Sequence, residues 1–435
     1  MSALARPVSS WGRLSAFSHR VVDLRETRHV ARELAANAPG IAYGMGRSYG
    51  DVCLNPDGVL WSTAGLDRFV RFDAASGRLA CEPGALLRDI QRTMIARGWS
   101  LPVAPGTEFV TVGGAIANDV HGKNHHKVGT FGDHVTALKL LRTDGEFIDC
   151  GPNLRPEWFA ATVGGLGLTG FIVEAELQLR PAAGPWLEAE TIPYAGLDAF
   201  FSLSDDSTSD WEHVVSWFDC TSGRRALGLL MRARPAAGNP GREWRERQRT
   251  VPFTPPFSFV NRLTLGPLNS AYYRLGRLHR GRRIVHYRPF LFPLDALHDW
   301  NRLYGPRGFY QYQCVVPPAA GPQAVAEMLD AVAKSREGSV LAVLKTFGDR
   351  QAPGMMSFVH PGVTLALDFR NAKGAEPLFQ RLDAIVREAG GRVYLAKDSR
   401  MPKAMFEATY PRLGEFRRYR DPGMSSALSR RLMDG

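Results

Sequence analysis

The sequence predicts an α+β protein of two domains, on three observations. The chain has 435 residues, more than one ordinary hydrophobic core accommodates. Short strands alternate with helices from residue 27 to about residue 180. The run 181–185 (PAAGP) then breaks the last of these strands, and aromatic-rich strands mixed with two long helical patterns follow. An apolar fraction of 44% and a charged fraction of 22% are those of a globular chain.

In order, residues 27–37 read as a helix with Thr27 in an N-cap position, followed by a buried strand at 40–43. Strands are expected at 60–62 and 78–81, and a helix at 85–98, where apolar residues recur at helical spacing before Gly98. Segments 137–141 and 147–150 flank Asp144-Gly145 as a hairpin. A helix opened by Pro156 covers 156–163, and a strand covers 171–179. After Gly184, strands are expected at 214–219, 226–232, 308–316, 340–346, 364–369 and 391–396, with helices at 323–335 and 375–389. The Pro-, Gly-, Arg- and Phe-rich segment 234–267 reads as one long loop, a lid or an interaction segment.

The net charge of +11 gathers in the runs 242–249, 274–288 and 412–420. No zinc-finger spacing, helix-turn-helix or RNA-binding aromatic signature accompanies them, so no nucleic-acid partner is expected and an anionic lipid surface is the more specific reading. Five scattered cysteines without a CxxC pair argue against a disulfide framework or a zinc site. Neither a signal-peptide run nor a spanning apolar stretch is present, which predicts a cytoplasmic protein that can lie against the inner membrane.

Three glycine-rich stretches bear on chemistry. Gly165–Gly170 (GLGLTG) is a literal GxGxxG, but it follows a helix and precedes a strand, the reverse of a nicotinamide-binding turn. The run 44–51 (GMGRSYGD) follows a strand, and its glycines let successive N–H groups face one concavity, as a pyrophosphate nest or a plain turn. The run 105–126 places Gly113, Gly114, Ala115 and Ala117 where a backbone can lie flat on a bulky ligand, then supplies Asn118, His121, Lys123, His125 and His126. His121 and His125 stand at i, i+4, but Gly122 breaks the helix that a metal pair needs, so no metal is expected. A ligand with phosphates at one end and a polar ring at the other fits these two runs.

At these residues the sequence resembles FAD-linked oxidases of the vanillyl-alcohol-oxidase type. Within them it is most similar to the decaprenylphosphoryl-β-D-ribose oxidase family, the flavin half of an enzyme pair that epimerises a ribose at C2′. The likeness runs through GMGRSYGD at 44–51, TVGGAIANDVHGKNHH at 111–126, ATVGGLGLTG at 161–170, WNRLYGPRGFYQYQ at 300–313 and GGRVYLAKDSR at 390–400. It implies a two-domain PCMH-type FAD-binding fold: residues 1–184 completed by 392–435 around the cofactor, and 185–391 forming an antiparallel-sheet substrate domain over the flavin.

By the same resemblance, Gly44, Gly46, Arg47, Ser48, Tyr49 and Gly50 would hold pyrophosphate. Pro105, Gly106, Thr107, Gly113, Gly114, Asn118, His121, Gly122, Lys123 and Lys397 would line the rest of the cofactor. Arg47 stands where many relatives carry a tethering histidine, which implies non-covalent FAD. Lys397 is the expected central residue, an ammonium stabilising charge that builds on the flavin, with His121 and Lys397 both open as the base. Tyr394 is a further site candidate, although an unbroken strand would turn it away from Lys397.

Gln311 and Gln313 share a strand face suited to a sugar, as do Lys345, a phosphate partner, and Phe347; Trp217 is a wall. Thr364 and Ala366 replace an asparagine and a cysteine of the mycobacterial members, which changes pocket shape and removes a target for thiol-directed inhibition. The implied reaction oxidises the 2′-hydroxyl of a polyprenyl-phosphoryl-β-D-ribose, and an NAD-dependent short-chain reductase partner then completes the epimerisation. A same-fold enzyme of a soluble sugar, alditol or lactone is the alternative.

Overall fold

The computed structural model describes residues 4–238, 241 and 243–434; Asn239, Pro240 and Arg242 of the expected loop lie outside the described residues. Three sheets carry the architecture. The first has four strands in the order Leu4–Val8, Phe17–Asp23, Val59–Ser62, Gly40–Tyr43, with parallel pairing on both sides of Val59–Ser62. The second is antiparallel, in the order Phe69–Asp73, Arg78–Cys81, Phe171–Gln178, Val135–Leu141, Phe147–Cys150. The hairpin expected at Asp144-Gly145 closes the last pair, with Gly145 at φ +93°.

The third sheet is antiparallel with eight strands: Gly281–His286, Trp186–Tyr194, Gly228–Pro235, His213–Phe218, Ala342–Phe347, Gly362–Arg370, Phe309–Val316 and Arg392–Val393. Its strands alternate faces, because successive side chains of a strand point to opposite sides. On Gly362–Arg370, Val363, Leu365, Leu367 and Phe369 join a core with Val325 and Leu329 of helix Gly321–Ser335 and Leu382 and Val386 of helix Ala375–Glu388. Thr364 and Ala366 therefore face the other way, toward a large cavity.

The tail returns to the first sheet. Gly40 N–H donates to Gly423, Ala427 N–H to Leu54, and Arg431 makes ion pairs with Asp51 and Asp398 at 2.9 Å each. Several expectations need correction. Thr27 does not cap its helix; Glu26 occupies that position and the Thr27 hydroxyl donates to Glu82 at 2.6 Å instead. The expected loop ends early, since helix Leu265–Leu278 starts inside it and Arg249–Thr250 pairs with Leu297–His298. The strand at 391–396 stops at Val393, because the N–H groups of Lys397 and Asp398 both donate to the Tyr394 carbonyl and close a turn. All five cysteines are free, and no metal-binding group of side chains occurs among the described residues.

Candidate active site

A cavity of about 1430 Å³ lies between the two glycine-rich runs and the eight-stranded sheet. That exceeds the several hundred cubic ångströms of a typical small-ligand site, and suits a dinucleotide-sized group together with a substrate. The first run forms one wall. Gly46 sits at φ +59°, a region costly for any residue with a Cβ, and a side chain there would also strike the Tyr43 hydroxyl. Arg47 does not extend freely; its guanidinium stacks 4.2 Å from the Trp11 ring centroid and 5.2 Å from that of Phe109. Gly44, Ser48 and Tyr49 line the same wall.

Gly50 does not. It is pressed against the Asp398 carbonyl, which a Cβ would overlap, so its glycine serves chain packing rather than ligand contact. The same junction carries Lys397 into the site, because Tyr49 N–H donates to Ala396 at 3.0 Å. The Lys397 ammonium then rests 3.8 Å above the Tyr49 ring. The turn after Val393 also keeps Tyr394 on the cavity side, its hydroxyl donating to the Asn118 carbonyl at 3.0 Å.

The second run forms the floor. Thr111 caps the short helix Val112–Ala117 by accepting from Gly114 N–H at 3.1 Å, which sets Gly113, Gly114 and Asn118 along the cavity. Pro105, Gly106, Thr107, Gly122 and Lys123 line it too. His121 meets the roof, its Nε2 accepting from the Gln313 amide at 3.1 Å, with the amide oriented as the network assigns it. Burial, with Lys345, His125 and Lys397 nearby, holds His121 well below the usual imidazole range, so the ring is neutral with its proton on Nδ1.

The roof is one face of the large sheet. Gln311 pairs in register with Asp368, Gln313 with Ala366, and Lys345 with Thr364, which brings these positions into one polar patch. Trp217 closes its side, with Nε1 donating to Val340 at 2.9 Å. Phe347 shares the strand face of Lys345 but does not reach the cavity; it packs edge-on behind His121 and His125 at 5.0 and 4.9 Å. Its role is to brace the histidine loop.

Three half-buried lysines, Lys123, Lys345 and Lys397, make the site electropositive. Burial lowers Lys345 to about 7 and Lys123 to about 8, and their ammonium groups donate to the Gly122 and Leu291 carbonyls. Burial also lowers Lys397, while Asp368 opposes that shift. Asp368 is the residue that sequence reasoning missed. It is fully buried, accepts from the Gln311 amide at 2.5 Å through one oxygen, and has no partner on the other. Its signal was available, as an aspartate inside the apolar strand GVTLALDFR, two residues from Ala366.

A family model described as an FAD binding domain matches residues 19–151. The chain is 34% identical over 448 residues to decaprenylphosphoryl-β-D-ribose oxidase of Mycolicibacterium smegmatis, covering 97% of this chain and 96% of that protein. It is 25% identical over 452 residues to an alditol oxidase of a Streptomyces species, covering 99% and 100%. With Δ24-sterol reductase of Homo sapiens it shares 33% identity over 135 residues, 31% of this chain and 26% of the reductase.

Proposed function

This chain belongs to the decaprenylphosphoryl-β-D-ribose oxidase family of FAD-dependent oxidoreductases, and on that premise we propose that its cavity holds FAD along the glycine runs and a polyprenyl-phosphoryl-β-D-ribose beneath the large sheet. The enzyme oxidises the 2′-hydroxyl to a 2′-keto sugar, the first half of epimerisation to the arabinose form. FAD, when bound, supplies the hydride acceptor. The residues present fit that cofactor: Arg47 Nε, Asn118 Oδ1 and His121 Nδ1 are buried cavity atoms without a partner, and such atoms ordinarily find one. Residues 1–184 with 392–435 form the cofactor half in this reading, and 185–391 the substrate half.

The single observation that carries the substrate reading is the amide pair Gln311 and Gln313 on one face with Lys345. Two amides hold sugar hydroxyls, and the Lys345 ammonium donates to the phosphate as a point charge. Lys397 takes the hydroxyl proton. Burial lowers its pKa and so raises the share of neutral amine near neutral pH, whereas the one unprotonated nitrogen of His121 is already occupied by Gln313. The ammonium so formed then balances negative charge developing beside it. Tyr394 ties this turn to Asn118 and acts by positioning.

Anaerobic mixing with polyprenyl-phosphoryl ribose bleaches the flavin in this reading, while free pentoses and alditols leave it yellow. The opposite order would carry the soluble-alditol reading, to which the 25% identity with an alditol oxidase corresponds only loosely. With Arg47 at the tethering position, acid precipitation releases the flavin into the supernatant; colour retained in the pellet overturns non-covalent binding. An NAD-dependent short-chain reductase receives the keto sugar, and the apolar segment around Phe253–Phe259 offers a membrane contact for the lipid carrier.

A further inference from the structure

Among the described residues, thirteen large apolar side chains are exposed, and eight of them fall between Phe253 and Leu278. Scattered exposed leucines are ordinary, but a contiguous apolar surface marks an interaction site. Leu268, Tyr272, Leu275 and Leu278 stand at i, i+4, i+7 and i+10 of helix Leu265–Leu278 and form one stripe, exposed except where the Tyr272 ring packs on Trp217 at 4.6 Å. The helix is fixed to the protein by the other side, through buried Leu265 and Asn269 and through Gly276, which abuts Leu229. A surface helix of a globular protein normally buries its apolar stripe. This one presents it.

Charge identifies the occupant. From Arg247 to Leu294 the sequence has nine arginines and no aspartate or glutamate. Arg274 and Arg277 of the same helix and Arg280 just beyond its end are exposed and form no ion pair among the described residues. An exposed apolar stripe in a segment rich in unpaired cations matches acyl chains below anionic headgroups. The cavity reaches the foot of this stripe, since Leu263, Pro267, Leu268 and Tyr272 line the same space as Lys345 and Lys397.

We infer that helix Leu265–Leu278 docks on the surface of an anionic phospholipid bilayer, and that the opening beside Leu263, Leu268 and Tyr272 admits a lipid-linked headgroup while its chain stays in the membrane. The docking stands on the surface alone; the passage of a substrate rests on the proposed function.

The test uses FAD-loaded protein and vesicles of phosphatidylcholine with or without phosphatidylglycerol. Wild type floats with the anionic vesicles, and added salt weakens the binding. Leu275→Asp/Leu278→Asp, at two positions outside the cavity, keeps its flavin and loses at least about tenfold in vesicle affinity. The same variant loses turnover of long-chain substrate in vesicles but keeps turnover of a short-chain, water-soluble analogue. Arg274→Glu/Arg277→Glu/Arg280→Glu, which leaves the leucines in place, reduces anionic binding to the level on phosphatidylcholine.

Wild type that ignores anionic vesicles overturns the docking, as does an aspartate variant that binds like wild type. A stripe that instead joins two copies of the chain, seen as a dimer that the variant dissociates without any vesicle binding, overturns it too. Equal loss on both substrates overturns the passage. Vesicle binding without turnover of either substrate refutes the substrate assignment and leaves the docking standing.

Discussion

Asp368 on strand Gly362–Arg370 and Lys397 in the turn after Val393 act on each other electrostatically, with Gln311 bonded to the carboxylate and the Tyr49 ring beneath the ammonium. Lys397→Met therefore abolishes flavin bleaching by substrate, by about three orders of magnitude or more, while FAD stays bound; unchanged bleaching would remove Lys397 from the mechanism. The pH dependence has a definite sign. If neutral Lys397 is the base, single-turnover rate rises with pH through a lysine pKa that burial depresses below 10.5. Asp368 opposes that depression, so Asp368→Asn moves the acidic limb of the profile to lower pH. A limb that stays in place or moves upward would refute the coupling. Sequence reasoning reached Lys397 through a motif and missed Asp368, whose partner lies on a neighbouring strand. It also assigned Gly50 and Phe347 to ligands, although one packs on backbone and the other braces histidines, because residue type and spacing do not reveal the layer a side chain occupies.

The histidine segment is strapped to the large sheet along its length. Val214 N–H donates to Lys123 at 2.8 Å, Asn124 Nδ2 to Glu212 at 3.3 Å, and His126 Nε2 meets the Trp211 carbonyl at 3.0 Å. Burial works against ionisation of Glu212, yet His213 and Arg180 outweigh it and hold the carboxyl at about 2. Its folded pKa lies below the ordinary 4.5, so its contribution to stability is complete above that pH and is lost as pH falls toward about 2. Glu212→Gln lowers stability at neutral pH by about 1–3 kcal/mol and flattens the acid limb of the unfolding curve; urea titrations across pH measure both. An acid limb of unchanged slope would show that Glu212 carries no such linkage. Element positions were readable where period and punctuation agree, as at the Asp144-Gly145 hairpin and helix Gly321–Ser335. The turn after Val393 was not, because its hydrogen bonds close on a carbonyl that the sequence presents as the middle of a strand.

At the scale of the molecule, the cavity is bounded by elements distant in sequence, and the tail packs back on the first sheet and the first glycine run through Met424 and Arg431. A ligand that binds only this folded arrangement stabilises it by mass action. At about one hundred times its dissociation constant FAD adds about 2.7 kcal/mol. Removing FAD therefore lowers the melting temperature and adding it back restores it; identical melting curves with and without FAD would contradict a cofactor held across these layers. Among the described residues no helix is long and apolar enough to cross a membrane.

The sequence by itself determined the α+β class, the turn character of the GxGxxG at 165–170 and the exposed backbone of the two glycine runs that line the cavity. Each is local: backbone freedom, alternation and punctuation are properties of neighbouring residues. It also determined that Gln311 and Gln313 share a face, since strand period is two. Only the tertiary structure decided that Lys397 lies over Tyr49, that Asp368 completes the polar roof, and that helix Leu265–Leu278 turns Leu268, Leu275 and Leu278 outward. Those outcomes depend on which strands pair and which helix face finds a partner. Such choices are set by burial summed over the whole chain.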